Sequence, residues 1–151
     1  MGDVIRPETE QMQIAFTVPQ PQDLLKSACP VPIARRGGSW SETCLGSGAK
    51  NQGVYVIFHG DSVIYVGKTD GPSMSFGMRL RREFQETASG GRHIYPKLAA
   101  LTVPPGIQVS MLSTSDIRKL VSINSLSLTD AELIPPCEAI LIAAYKPRFQ
   151  V

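Results

Sequence analysis

Several residues in this chain are of types that handle phosphate. Met78-Arg79-Leu80-Arg81-Arg82 places three guanidinium groups within five positions, and a guanidinium fork matches phosphate oxygens. Tyr55 and Tyr65 stand ten residues apart, with Lys68 three positions beyond the second. A free phenol titrates at about 10, and nearby positive charge from Lys68, Arg79 or a cation favours phenolate. Either tyrosine is then a candidate acceptor for a proton from water. Glu138 lies in an otherwise apolar stretch. At about 100° per residue it shares a helical face with Leu141, Ile142 and Tyr145. A carboxylate on an inward face is costly unless compensated. The compensation is either a bound cation or the favourable field at a helix N-terminus. Magnesium keeps several waters, so one carboxylate with a substrate phosphate suffices to hold it. These are the ingredients of phosphodiester hydrolysis: a positioned water, a way to remove its proton, and positive charge facing the non-bridging oxygens.

The elements that must position these groups can be read from spacing. Gly53 to Phe58 and Ser62 to Val66 are rich in β-branched and aromatic residues around His59-Gly60-Asp61, which predicts a β-hairpin with both tyrosines on one face. Gly53 and Gly67 predict close backbone approach or a bulge. Phe76, Leu80 and Phe84 recur at helical spacing, so Ser75 to Glu86 reads as a helix. Arg79 falls on the shoulder of that stripe beside Phe76, Arg81 on the other shoulder, and Arg82 nearly opposite Leu80. Arg79 is therefore the arginine able to lay its stem on the sheet and aim its fork at a phosphate. Arg81 and Arg82 read as a solvated face, with contact to backbone phosphate as a secondary role. A short helix is expected over Tyr95 to Leu101, ended by Pro104-Pro105-Gly106. A strand is expected over Ile107 to Leu112 and a helix over Asp116 to Ser122. Pro135-Pro136 is expected to open a last helix running through Tyr145, since proline suits a first helical turn. The fold expected is α+β, a small antiparallel sheet of about three strands flanked by helices. His93, beside Arg92 in the Ser89-Gly90-Gly91 loop, reads as a loop histidine.

Residues 1–50 differ. Pro7, Pro19, Pro21, Pro30 and Pro32, then Arg35-Arg36-Gly37-Gly38, permit only short helices or extended segments. This stretch reads as an N-terminal arm, with Trp40 and Leu45 packing on a body formed by residues 51–151. The formal net charge is only +2 over 151 residues, so attraction to phosphate must come from local clustering. Three widely spaced cysteines form no CxxC pair; neither a structural zinc site nor a disulfide framework is expected, and reduced thiols suit a cytoplasmic protein. No secretory signal is evident in residues 1–25. The apolar run Ala139 to Tyr145 is too short to span a bilayer, so no membrane association is expected.

Gly53-Val54-Tyr55 and Tyr65-Val66-Gly67 resemble the paired signature of the GIY-YIG nuclease superfamily, and Lys68 follows the second element as is common there. Met78 to Phe84 resembles the family's arginine helix. Cys137 to Gln150, with Lys146-Pro147, resembles its metal-site helix and closing segment. The likeness covers roughly residues 51–150 and is strongest to restriction-endonuclease-like members. It implies a DNA endonuclease using Mg2+ (or Mn2+) held by Glu138, with Arg79 on the phosphate and Tyr55, Tyr65 and Lys68 at the attacking water. Arg81, Arg82 and Gln150 are then substrate contacts, and the Gln150 side-chain amide is also expected to hold the Glu138 helix against the hairpin. Gln150 stands where the family usually has Asn, and Glu83 where similar restriction enzymes often carry His one turn after the arginine. A homodimer on DNA would allow both strands to be cut. Two alternatives stay open: a toxin nuclease neutralised by an immunity or inhibitor protein, and a nucleic-acid-binding module of reduced activity.

Overall fold

The computed structural model describes residues 14–34, 38–69, 71–85, 94–101, 106–123 and 128–150. Its elements run β1 (Ile14–Phe16), α1 (Pro21–Leu25), β2 (Cys29–Pro30), a 3-10 segment (Glu42–Lys50), β3 (Gly53–His59), β4 (Ser62–Lys68), α2 (Phe76–Phe84), α3 (Tyr95–Ala100), β5 (Ile107–Ser113), α4 (Thr114–Leu120), β6 (Val121–Ile123) and α5 (Asp130–Tyr145). Every strand pairing is antiparallel: one sheet has the order β2-β5-β3-β4, and β1 pairs with β6 in a second sheet of two strands. The class is α+β, as the residue patterns indicate. The main sheet has four strands rather than about three, because β2 from the N-terminal stretch joins β5. The loop holding Ser89, Arg92 and His93, together with Pro104-Pro105, lies outside the described residues.

The β3–β4 hairpin forms where the β-branched runs predict it, with its register shift between Ile57 and Phe58 rather than at a glycine. From Gly53 to Phe58 every residue of β3 is buried, since apolar layers cover both faces of the sheet. On one face Tyr55 and Ile57 pack with Phe76, Leu80 and Phe84 of α2, Leu98 of α3, and Trp40 and Leu45. On the other, Val54, Val56, Phe58 and Val66 pack with Ile117 of α4 and Leu133, Cys137 and Leu141 of α5. The described part of residues 1–50 thus contributes a strand to each sheet and core side chains to the body.

Two glycines are explained by contact. A Cβ on Gly53, whose φ is +154°, would lie 1.9 Å from the Leu112 carbonyl oxygen. Gly67 stands directly across from Tyr55 in the ladder, and a Cβ there would lie 2.4 Å from the tyrosine ring. The buried ring has nowhere to retreat, so Gly67→Ala is expected to cost about 1–3 kcal/mol, the range for overfilling a packed core. Denaturant unfolding measures this, and an unchanged midpoint would contradict the packing.

The last helix departs from expectation. It begins at Asp130 and not at the prolines, with Pro135 and Pro136 inside it. Thr129 and Glu132 form a reciprocal capping box, Thr129 Oγ1 accepting from the Glu132 N–H and the Glu132 carboxylate accepting from the Thr129 N–H. That cap satisfies orphan donors at a true N-terminus, and two more turns follow before the prolines are complete. Glu138 is therefore in the body of the helix, which removes the N-terminal field as the reason for its placement. Helix α5 ends at Tyr145 and is capped by Lys146, the only non-glycine residue with positive φ among the described residues; Pro147 next to it disfavours the helical conformation at Lys146.

Candidate active site

β4 is the outer strand of the main sheet, and the candidate residues gather along it. Tyr65 pairs with Ile57, and Tyr55 with Gly67. Even spacing along each strand puts both phenol rings on the α2 face, where their centroids are 6.3 Å apart. Their surroundings differ. Tyr55 is fully buried, and its hydroxyl donates to Glu83 Oε2 at 2.6 Å. Tyr65 is half-buried and sits nearer the strand edge.

Arg79 is 8% exposed. Its Nε donates to the Lys68 carbonyl at 3.2 Å, and its Nη1 lies 3.5 Å from Glu83 Oε2. Its guanidinium carbon stands 6.0 Å from the Tyr55 ring centroid, and it hydrogen-bonds the Tyr65 hydroxyl. The helix shoulder thus delivers Arg79 against β4 as its register requires. Across the strand end, Lys68 Nζ lies 3.8 Å from Glu138 Oε1, with both side chains partly exposed. Arg79 and Lys68 meet through the Lys68 backbone, so α2, β3, β4 and α5 bring two cations, two carboxylates and two phenols into one neighbourhood.

Both tyrosines are held protonated. Burial pushes Tyr55 well above the usual phenol range, with the Glu83 charge adding to it and Arg79 opposing. Burial pushes Tyr65 up to about 12, again with Glu83 adding and Arg79 opposing. The expectation that Lys68 and Arg79 lower these phenols is therefore corrected: loss of solvent outweighs the attraction of the cation, because the charged form is the one that burial penalises.

Gln150, expected both as a substrate contact and as a tie between the Glu138 helix and the hairpin, makes that tie. Its Oε1 accepts from the Val66 N–H at 3.0 Å and its Nε2 donates to the Val66 carbonyl at 2.9 Å. Next to it the Phe149 N–H donates to the Ile64 carbonyl. The side-chain amide pairs with the outer edge of β4 as a neighbouring strand would, fastening the tail of α5 to the strand that carries Tyr65. Gln150→Ala should lower stability by about 1–2 kcal/mol, the net worth of two hydrogen bonds, and should lower any site activity with it. Calorimetry and a rate measured on one preparation test this; loss of neither would leave Gln150 without a role.

Arg81 is exposed, and its Nη2 donates to the Trp40 carbonyl at 3.4 Å, so its first task is to hold the N-terminal segment. Arg82 is exposed.

The chain's donors suit a hard, hydrated cation. Among the described residues no group of three or more His, Cys, Asp or Glu side chains could enclose a metal, whereas Glu138 offers a carboxylate at the partly open end of β4. One carboxylate fits Mg2+ or Mn2+ in the mode that keeps several waters and takes a substrate oxygen. Beside Lys68 a cavity of about 310 Å3 is lined by Gln52, Thr69, Pro72, Ile134 and Pro135, giving room for a ligand against this end of the strand. Larger cavities of about 500 and 480 Å3 involve none of the candidate residues.

Glu83 is the residue that pattern reading undervalued, treating it only as a substitution in a family position. It is 0% exposed. A signal was present: at about 100° per residue it falls inside the apolar stripe between Arg79 and Phe76, and it stands four positions after an arginine. No protein-family model, curated protein or solved structure matches the chain.

Proposed function

We propose that the protein is a divalent-metal-dependent endonuclease acting on DNA, of the GIY-YIG type. The observation that supports this reading most is the convergence of Tyr65 and Lys68 of β4, Arg79 of α2 and Glu138 of α5 along one edge strand. In this reading Glu138 holds the cation, and the cation when bound supplies positive charge to the phosphoryl oxygens. Arg79 neutralises a non-bridging oxygen of the scissile phosphate, with its fork already turned toward β4. Lys68 lies between the carboxylate and the strand end, where it balances charge on the incoming phosphodiester. Tyr65 is protonated in the resting site, so its hydroxyl orients the attacking water. It accepts that water's proton only after positive charge is added beside it, and Arg82 steadies the flanking backbone.

Since Tyr65 starts near 12, proton acceptance by it requires deprotonation from above the neutral range. The rate should accordingly rise with pH through the neutral and mildly alkaline region. Tyr65→Phe keeps the ring and deletes the hydroxyl; it should slow the chemical step by ~100-fold, the lower end for a proton-transfer group, and flatten the pH profile. A single-turnover rate within a few-fold of wild type would assign water activation elsewhere. The class of reaction is tested with end-labelled DNA duplexes and RNA of matched sequence, with Mg2+ and with chelator. Metal-dependent internal cleavage of DNA is expected. Tight, salt-sensitive binding without cleavage would instead establish a binding module, a reading that the buried, committed hydroxyl of Tyr55 would favour.

A further inference from the structure

Glu83 sits at the floor of this site with no solvent contact. Its Oε2 receives the Tyr55 hydroxyl and faces the Arg79 guanidinium, while its Oε1 is buried without a hydrogen-bond partner. A carboxylate this enclosed is costly when its oxygens are not all satisfied. Leucine would fill the position between Arg79 and Phe76 more cheaply, so core packing does not account for an acid here. What the acid does is close a triangle. Tyr55 donates to Glu83, Glu83 faces Arg79, and Arg79 lies over the Tyr55 ring. The triangle rests on a fixed base, because Tyr55 is clamped over the bare backbone of Gly67.

We propose that Glu83 is a positioning residue: its buried carboxylate, itself held by Tyr55, fixes the plane of the Arg79 guanidinium at the outer end of β4. This deepens the nuclease reading and rests on it for the use made of Arg79, but the geometry it asserts is a property of the protein alone. An arginine side chain has many rotamers, and a guanidinium gives directional contact to a phosphate only when its plane is set. Three contacts bear on it here: the Lys68 carbonyl accepts from Nε, the Tyr65 hydroxyl is hydrogen-bonded to the guanidinium, and the Glu83 carboxylate faces Nη1 at 3.5 Å as an ion pair without a hydrogen bond. Tyr55 then acts through Glu83 rather than on substrate, which accounts for a tyrosine with no exposed surface in a candidate site.

The test is the Arg79 Nε–H signal in a nitrogen-15-edited NMR spectrum of the whole chain, assigned by its loss in Arg79→Lys. It needs no substrate, so its failure is distinct from failure of the nuclease reading. In wild type this proton should exchange slowly with solvent. Glu83→Gln keeps the shape and an acceptor for Tyr55 but removes the charge facing Arg79; exchange should accelerate at least ~10-fold. If Glu83→Gln does not fold, Tyr55→Phe removes only the hydroxyl that holds Glu83, and should accelerate the same signal. Unchanged exchange in the folded variant would overturn the proposal. Where cleavage is measurable, Glu83→Gln should reduce single-turnover rate with little change in DNA affinity, and should cause no further loss when added to Arg79→Lys. Equal, independent losses from the two changes would also overturn it.

Discussion

Glu138→Gln is expected to abolish metal-dependent cleavage while leaving the protein folded. The two side chains have the same shape, but an amide is a poor ligand for a hard cation. Loss of at least ~10³-fold in single-turnover rate is expected, the upper end for removing one transition-state charge contact. The stability cost should be small. Glu138 and Lys68 are 3.8 Å apart and both partly exposed, and pairs of this kind contribute about 0–1 kcal/mol. Helix α5 does not depend on the carboxylate either, because its N-terminus is closed by Thr129 and Glu132 and not by Glu138. Rate and unfolding midpoint therefore separate: a folded Glu138→Gln protein that cuts DNA at near wild-type rate removes Glu138 from the chemistry.

Arg79 carries the second large effect, and here rate and stability move together. Arg79→Ala should reduce the rate by at least ~100-fold. It also strands Glu83 as a buried charge, which typically costs about 3–5 kcal/mol, so it must be compared with Arg79→Lys. Lysine keeps the charge and loses the fork. If the planar fork is what the phosphate needs, Arg79→Lys should remain folded and still be slow. Arg82→Ala provides the contrast. Its side chain is exposed, so the variant should weaken DNA binding, reduce the salt slope by about one, and leave the bound-state rate nearly intact. A greater rate loss from Arg82→Ala than from Arg79→Lys would reverse the assignment of the two arginines.

How much of this could be read from residues alone follows from where each signal resides. The hairpin, α2 and β5 are local patterns: β-branched runs around a turn, a stripe of Phe76, Leu80 and Phe84, an alternating segment. They form where those patterns lie. Arg79 was legible for the same reason, since a helical wheel fixes its direction. β2 and β6 are only two and three residues long, and they exist because tertiary pairing supplies partners; no local pattern of that length specifies a strand. The start of α5 was misplaced because two prolines outweighed the cap at Thr129, six positions before Pro135. The prolines instead lie within the helix, which the surrounding packing of Leu133, Ile134 and Cys137 sustains. Gly67 was recognised as a place of close approach, but its partner, the Tyr55 ring, depends on strand register. The raised phenols were not legible at all, because burial is a property of the assembled layers.

The central claim is that Glu138, at the end of β4, makes this chain a metal-dependent nuclease. Nicking of supercoiled plasmid by the purified whole chain, followed with Mg2+ and with chelator and repeated with Glu138→Gln, tests it most directly. The account predicts conversion to open-circular or linear DNA by wild type only when Mg2+ is present, and none by the variant under either condition. Intact plasmid with wild type and Mg2+, or equal nicking by Glu138→Gln, would contradict it.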